Sequence, residues 1–295
     1  MKNKLIGVIA SSLLFINVIF WCLLLFILTP IKFILPEAAV RRVMDPIFSV
    51  IAGAWISCNS GWMKLTQKTK WDIELPESLN TKGWYFVISN HQSWVDIFAL
   101  QHILNGKIPF LKFFLKQELI KVPIMGQAWW ALDFPFMKRF SKSYLEKHPE
   151  MKGKDIETTK EACEKFKYVP TSVMNFLEGT RFTDKKHKEQ NSPYQNLLPP
   201  KAGGFAFALS AMGDKFQSVL DCTIVYPNGI PSFMDFMQGK VPEIIVKINE
   251  RPIPPEFCQK DYQTDAQFKQ DFQGWISDIW TEKDNEISKI KQDIQ

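Results

Sequence analysis

One histidine and one aspartate stand at a spacing suited to acid–base chemistry. The apolar run at residues 84–88 is short and rich in β-branched and aromatic residues, which predicts a strand buried on both faces. His91 follows this run and so lies at the carboxyl end of the predicted strand, where open α/β sheets bind their ligands. Asp96 comes five residues later and can fold back to orient the imidazole and stabilise the imidazolium. This pair therefore has the chemistry of a general base.

The same stretch also fits a purely structural role. Ser93 and Asp96 match the Ser-x-x-Asp capping pattern of a helix that begins near residue 95, in which Asp96 accepts from backbone N–H groups. His91 equally fits a hydrogen-bonded core histidine. Taken alone, this stretch leaves both interpretations open.

A second polar block follows another predicted strand, at residues 171–177. It consists of Glu178, Gly179, Thr180 and Arg181. Glycine lets a backbone approach a ligand closely, and the planar arginine fork suits a phosphate group. The alternative is an ordinary strand-to-loop turn with a surface ion pair.

Taken together, the two blocks resemble the glycerolipid acyltransferase family, which carries an Asn-His-x4-Asp block and a downstream Glu-Gly-Thr-Arg block. The nearest branch resembles the bacterial inner-membrane acyltransferases related to the lysophosphatidate and lysocardiolipin enzymes. The resemblance covers roughly residues 45 to 230, and its blocks occur in the family's order. The matching stretches are residues 90–96, 110–112, 116–119, 123–126, 136–139, 178–181, 201–204 and 223–227.

The resemblance implies a mechanism. His91 takes the proton from a lysophospholipid hydroxyl, Asp96 orients the ring, and the substrate oxygen attacks an acyl thioester directly. No covalent acyl-enzyme is required, and Ser93 is assigned to helix capping. We expect no metal and no cofactor, with acyl-CoA or acyl carrier protein as the co-substrate.

The resemblance also implies a set of substrate-binding residues. Arg181 is expected to bind the acceptor phosphate, and Glu178 to brace Arg181 or to accept from a glycerol hydroxyl. Where the family often has Ile-Asp-Arg, this chain has Met137, Lys138 and Arg139, so Arg139 is the matching cation. The expected binding residues are Glu178, Gly179, Thr180, Arg181, Arg139, Lys112, Lys116 and Lys201. The aromatic residues expected either to line an acyl groove or simply to pack in the core are Trp94, Phe98, Trp129 and Trp130.

The amino-terminal segment predicts a membrane anchor. Residues 5–31 contain no charged residue, and residues 5–28 would span about 36 Å as a helix, enough for one tilted crossing. A re-entrant or interface-lying helical hairpin is the alternative, because residues 45–64 are also apolar. Phe48, Ile51, Trp55 and Trp62 would then share one interfacial face, unless that helix belongs to the core of the catalytic domain.

Charge and cysteine usage indicate the environment. The net charge of +5 suits anionic lipid headgroups, and no zinc spacing or Arg-rich run accompanies it to indicate nucleic-acid binding. The five cysteines are scattered and form no Cys-x-x-Cys pair, which indicates reduced thiols. We therefore expect a bacterial inner-membrane protein whose catalytic domain faces the cytoplasm.

Beyond residue 65, strand and helix patterns alternate, which predicts an α/β layered domain with a mostly parallel or mixed sheet. The predicted organisation is a membrane-anchoring region at residues 1–65 and an acyltransferase domain at 66–295 that ends in a helix with an aromatic face. That face is expected to pack on the domain. The loop at 182–200 is expected to lack regular structure and to touch the acceptor or the membrane. The predicted strands are residues 84–89, 108–111, 134–137, 172–177, 219–225 and 243–248, and the predicted helices are 95–104, 116–121, 156–167 and 205–212.

The leading hypothesis is transfer of an acyl group to 1-acyl-sn-glycerol-3-phosphate, giving phosphatidate. The nearest alternatives are the same reaction on another lysophospholipid and transacylation without CoA. A membrane-anchored lipid-binding protein without turnover and a water-using thioesterase are the hypotheses from other classes.

Overall fold

A computed structural model describes residues 1–137, 147–148, 166, 168–258, 262 and 265–294. The strands are β1 Lys70–Glu74, β2 Tyr85–Ser89, β3 Leu111–Phe113, β4 Leu115–Lys116, β5 Phe136–Met137, β6 Ser172–Phe176, β7 Ser218–Val225 and β8 Glu243–Arg251. The helices are α1 Lys2–Leu28, α2 Ile31–Ile34, α3 Glu37–Ala39, α4 Asp45–Thr66, α5 Val95–Leu104, α6 Met125–Ala131, α7 Asp184–Glu189, α8 Gly203–Met212, α9 Phe233–Met237 and α10 Ala266–Ile294.

Six strands form one sheet in the order β1-β8-β7-β2-β6-β3. All neighbours are parallel except β7 and β8, which are antiparallel. This confirms the predicted α/β layered fold with a mixed sheet. The central position of β2 explains its sequence, because all five of its residues are buried and a strand covered on both faces has no polar side.

The core lies on both faces of this sheet. On one face, Val87 of β2 packs in a cluster with residues of α1, α4, α5 and α6. On the other face, Phe86 and Ile88 pack against α8 and α10. Successive side chains of a strand point to opposite faces, so β2 fastens the two layers together.

The carboxyl-terminal helix α10 packs on the domain, as its aromatic periodicity predicted. Phe272, Ile276 and Trp280 are fully or almost fully buried. Lys283 reaches inward from the same helix, and its Nζ lies 2.5 Å from Asp221 Oδ1 on β7. A charge this deeply buried requires such a partner.

The segment Lys2–Ile34 is the one helical span in the described part of the chain that is long and apolar enough to cross a membrane, by length and composition. It packs against α4, whose residues Phe48, Ile51, Trp55 and Trp62 are buried in the same cluster as the sheet. That face of α4 is therefore a core face and not an interfacial one. The division at residue 65 stays a prediction.

The secondary structure differs from the sequence predictions in several places. The strand expected at 108–111 begins instead at Leu111. The loop expected at 182–200 contains α7, whose first turn is capped by Thr183 Oγ1 accepting from Lys186 N–H. The edge strand β1 was missed because its sequence is polar and its residues are largely exposed. The helix expected at 156–167 lies almost wholly outside the described residues.

Candidate active site

Parallel pairing of β2 and β6 brings the two polar blocks together. Ser89 pairs with Phe176 at the carboxyl ends of these strands, so the residues two positions further along each chain become neighbours. These residues are His91 and Glu178, and the His91 backbone N–H donates to Glu178 Oε1 at 2.7 Å. Two blocks about ninety residues apart in the sequence therefore form one site.

His91 and Asp96 form the expected pair. His91 Nδ1 lies 2.8 Å from Asp96 Oδ2, and Asp96 is 0% exposed. The backbone N–H groups of Gln92 and Ser93 also donate to this oxygen, at 2.7 and 2.8 Å. The capping and dyad interpretations are therefore compatible, since one carboxylate serves both the helix entrance and the imidazole.

Tyr226, which was not among the predicted site residues, completes the environment of Asp96. Tyr226 follows β7, and its hydroxyl donates to Asp96 Oδ1 at 2.5 Å. Burial beside Asp96 raises the pKa of Tyr226 well above its ordinary value, so the phenol remains a donor. In sequence, Tyr226 stands out only as part of the last strand block.

The imidazole of His91 faces a cleft of about 370 Å³. Its ring stacks on Phe176 at 3.8 Å between centroids and 13° between planes, which fixes the ring plane. With Nδ1 committed to Asp96, Nε2 is the ring nitrogen available to a substrate. The described residues lining the cleft are His91, Trp94, Ile97, Gln101, Phe113, Phe114, Leu115, Lys116, Leu119, Trp129, Phe134, Met174, Asn175, Phe176, Gly179, Thr180 and Arg181.

Glu178 differs from the expectation that it would brace Arg181 or bind glycerol. It is 0% exposed, and its two oxygens accept from the backbone N–H groups of His91 and Leu198, at 2.7 and 3.1 Å. The carboxyl end of β6 adjoins that of β2, which turns the side chain inward. Glu178 thus holds the loop that carries His91 and is a positioning residue.

Burial raises the pKa of Glu178 to about 8, against the two backbone hydrogen bonds, which lower it. The pKa of Glu178 is 4.5 in the unfolded chain and about 8 in the folded protein. At pH values between these two, the folded protein holds a proton that the unfolded chain releases. The raised pKa of Glu178 therefore contributes fully to the free energy of unfolding below pH 4.5, and this contribution is lost as the pH rises to 8. Thermal unfolding in detergent gives the Tm of both proteins from pH 5 to 8. As the pH rises over this range, the Tm of the wild type should fall relative to the Tm of Glu178→Gln. A constant difference in Tm across this range would contradict the assignment.

The turn after β6 presents the expected phosphate ligand. Gly179 has φ of +67°, a conformation that favours glycine, and Thr180 and Arg181 follow it into the cleft wall. The Arg181 guanidinium lies over the Trp94 ring at 5.0 Å from its centroid. Lys186 of α7 donates to Thr180 Oγ1 at 2.7 Å and to Arg181 O at 2.9 Å. Lys186 therefore holds this turn, a role that was expected of Glu178.

The structure describes three of the four other cationic side chains that were predicted to bind substrate, and these three do not lie together at the cleft. Lys116 lines the cleft. Lys112 points to the opposite face of the sheet, where its Nζ lies 4.7 Å from the centroid of the Phe166 ring, because side chains alternate along β3. Burial lowers the pKa of Lys112 to about 8. Lys201 is exposed and is not among the described residues that line the cleft, and Arg139 with Lys138 lies outside the described residues.

The four predicted groove aromatics separate into two kinds. Trp94 and Trp129 line the cleft. Phe98 packs edge-on and tilted against Trp62, Phe233 and Phe236, and Trp130 stacks on Phe33 next to the end of α1. Core packing, the alternative interpretation, therefore applies to Phe98, and Trp130 contacts the anchor region.

Ser93 is occupied by structural hydrogen bonds. Its Oγ donates to Pro231 O at 2.7 Å and accepts from Val95 N–H at 3.2 Å. The hydroxyl proton is directed away from His91, which fits the capping role and not that of a nucleophile. Within the described residues, no group of three or more His, Cys, Asp or Glu side chains is arranged to hold a metal ion.

Comparisons with known proteins identify the family of the chain. The model of the Acyltransferase family matches residues 70–228. The 1-acyl-sn-glycerol-3-phosphate acyltransferase gamma of Mus musculus is 25% identical over 242 residues, covering 78% of this chain and 60% of the relative. The 1-acyl-sn-glycerol-3-phosphate acyltransferase 3 of Arabidopsis thaliana is 26% identical over 221 residues, covering 69% of this chain and 52% of the relative. The chain thus spans about half to three-fifths of the length of these relatives.

A solved structure shares the fold. The crystal structure of the 1-acyl-sn-glycerophosphate (LPA) acyltransferase PlsC from Thermotoga maritima matches with a TM-score of 0.52 and 16% identity, over 95% of this chain and 96% of that chain. The family match covers more than half of the chain and contains both His91 and Arg181. The chain belongs to the Acyltransferase family.

Proposed function

We propose that the protein transfers a fatty acyl group from acyl-CoA or acyl carrier protein to the free hydroxyl of 1-acyl-sn-glycerol-3-phosphate, giving phosphatidate. The observation that carries this proposal is the buried-carboxylate dyad of His91 and Asp96, at 2.8 Å, opening onto a cleft with Arg181 in its wall. The names of the relatives, 1-acyl-sn-glycerol-3-phosphate acyltransferases, support the same acceptor.

In this mechanism His91 Nε2 accepts the proton of the acceptor hydroxyl as its oxygen attacks the thioester carbonyl. Asp96 stabilises the imidazolium that forms, and its bond to Nδ1 keeps the other nitrogen directed to the substrate. When the tetrahedral intermediate collapses, the carbon–sulfur bond breaks and the imidazolium returns its proton to the departing thiolate. An ester and a free thiol result, and the histidine is regenerated without a covalent acyl-enzyme.

The acceptor phosphate is bound in this proposal by Arg181, with the Thr180 hydroxyl beside it. The Arg181 guanidinium lies over the Trp94 ring, so its side chain loses less conformational freedom when the phosphate binds. The backbone carbonyl of Arg181 accepts from Lys186, which fixes the turn. Lys116, also in the cleft wall, adds positive charge. The apolar part of the cleft, including Ile97, Phe113 and Phe134, receives hydrocarbon.

Arg181→Ala should raise the KM for lysophosphatidate about tenfold to a hundredfold while changing kcat much less. A hydrogen bond to a charged group contributes about 1.5–3 kcal/mol, and about 1.4 kcal/mol is a factor of ten. Initial rates over a range of acceptor concentrations measure this. Lys185→Ala is the matched control, because this exposed neighbour pairs with Glu189, at 3.8 Å, and is not among the described residues that line the cleft. An unchanged KM in Arg181→Ala would remove Arg181 from the phosphate site.

The amino-terminal helix supports association with a membrane. Its outer face exposes large apolar side chains, among them Phe15 and Ile27. One end of α1 packs on Gln238 through Gly7, and just past its other end Lys32 Nζ donates to Ala131 O at 2.8 Å. Because both ends contact the catalytic domain, we favour a helix that lies in one leaflet over one that crosses the bilayer. The proposed location is the bacterial inner membrane, with the site facing the cytoplasm.

An acceptor panel tests the proposal. Purified full chain in mixed micelles receives labelled acyl-CoA with lysophosphatidate, another lysophospholipid, or no acceptor, and mass spectrometry identifies the products. The proposal expects phosphatidate from lysophosphatidate as the main product. Preference for another lysophospholipid assigns the same chemistry to a different acceptor, and product without free thiol indicates transacylation. Full-rate hydrolysis without acceptor indicates a thioesterase, and binding without any product indicates a lipid-binding protein.

A further inference from the structure

Tyr226 is positioned to act on the base pair from a third strand. Its hydroxyl donates to Asp96 Oδ1 at 2.5 Å, while His91 Nδ1 lies against the other oxygen of the same carboxylate at 2.8 Å. We propose that Tyr226 is a positioning residue that sets the basicity of His91 through Asp96, so that the working unit is Tyr226–Asp96–His91. This inference rests on the proposed function.

The fold explains why a residue 130 positions away reaches this carboxylate. β2 and β7 are parallel, and β2 ends at Ser89, which pairs with Cys222. β7 continues three residues further, to Val225, so Tyr226 extends over the turn between β2 and α5. The Asn90 side chain ties the end of β2 to β7 at this point, because it donates to Ile224 O and accepts from Ile224 N–H, each at 2.9 Å.

The two carboxylate oxygens of Asp96 have different partners. Oδ2 accepts from the backbone N–H groups of Gln92 and Ser93 and faces the imidazole. Oδ1 receives the Tyr226 hydroxyl. At this depth of burial an oxygen without a donor would disfavour the charged form. The tyrosine therefore supplies a donor to this oxygen and withdraws part of the carboxylate charge from the imidazole.

Other ionisable groups surround the pair from neighbouring elements. Glu178, at the end of β6, accepts from the His91 backbone and is influenced by the charges of Asp96 and Lys283. Lys283, on α10, is itself paired with Asp221 at 2.5 Å. Arg181 lines the cleft beside His91. Among the described residues, the Tyr226 hydroxyl donates to Asp96 and to none of these groups, so its replacement reaches them through Asp96 alone.

Loss of the hydroxyl should shift the pH profile in one direction. Without its donor, Asp96 holds a proton more readily and also carries more charge toward His91, and both changes raise the apparent pKa of the coupled pair. In Tyr226→Phe the acidic limb of kcat/KM should move up by about one pH unit, since a unit corresponds to about 1.4 kcal/mol and hydrogen bonds to charged groups are of this size. Above the limb, activity should approach that of the wild type.

Tyr85→Phe is the matched control. Tyr85 is equally buried, at the opposite end of β2, and its hydroxyl accepts from Asn80 N–H and Nδ2 at 3.1 Å each. This variant should keep the wild-type limb. Site-specific 3-fluorotyrosine at position 226 keeps the ring and strengthens the donor, so it should shift the limb downward, opposite to Tyr226→Phe, and it covers the case in which the phenylalanine variant fails to fold.

An activity-free measurement separates this inference from the proposed function. Carbethoxylation of His91 by diethylpyrocarbonate, followed by mass spectrometry of its peptide across pH, reports the pKa of the imidazole in the full chain even if no substrate turns over. A rise of this pKa in Tyr226→Phe and a fall with 3-fluorotyrosine would support the proposal. An unchanged His91 pKa, or a uniform loss of rate at every pH without a shift of the limb, would overturn it.

Discussion

Replacement of His91 by alanine should lower kcat/KM for acyl transfer to lysophosphatidate by about 10²–10⁴-fold, the usual contribution of a positioned general base. The imidazole is the group whose Nε2 remains available after Nδ1 binds Asp96. The Ser93 hydroxyl is committed to Pro231 and Val95, so it does not take the place of the imidazole. Initial rates of phosphatidate formation in detergent measure the loss.

His102→Gln is the control for this variant. His102 lies on α5, with Nδ1 2.7 Å from Ser60 Oγ and its ring against Trp71, and glutamine can keep the hydrogen bond. The control should retain most of the wild-type rate. Residual activity of His91→Ala within a few-fold of the wild type would show that another group accepts the proton.

Asp96→Asn should lower kcat by about a hundredfold, or ~2.7 kcal/mol of transition-state stabilisation, with little change in KM. The asparagine oxygen can still accept from the Gln92 and Ser93 N–H groups, and its amide can face the Tyr226 oxygen. The geometry is therefore kept while the charge that stabilises the imidazolium is lost.

Asp265→Asn provides the control for a helix-capping aspartate. Asp265 Oδ1 accepts from Phe268 N–H at 2.9 Å at the start of α10, so this variant loses a similar capping charge away from the cleft. Its kcat should stay near that of the wild type. If Asp96→Asn also kept its kcat, Asp96 would be a helix cap alone and the dyad would have no catalytic meaning.

The central pair could be predicted from sequence because its determinants are local. The apolar run before His91 fixes a buried strand, and Asp96 stands in the first turn of the next helix. A backbone turn of this length can bring both side chains close to each other. The meeting of this block with Glu178 could also be expected, since the carboxyl ends of parallel strands share one edge of a sheet.

Other features of the site depend on strand register and on which face of the sheet a side chain points to, and amino-acid composition encodes neither. Tyr226 reaches Asp96 because β7 extends past β2, and no spacing motif marks it. Lys112 has the residue type of a phosphate ligand but falls on the far face of the sheet. Glu178 was expected at the substrate, yet the neighbouring loop supplies two N–H donors that draw it inward.

The role of His91 as general base is tested most directly by acceptor-dependent thiol release from the purified full chain, compared with His91→Ala under the same conditions. The wild type should release CoA thiol from acyl-CoA when lysophosphatidate is added and release little without it. The variant should show no stimulation by acceptor. Equal acceptor-stimulated release by both proteins would contradict the assignment of His91 as the base that activates the acceptor hydroxyl.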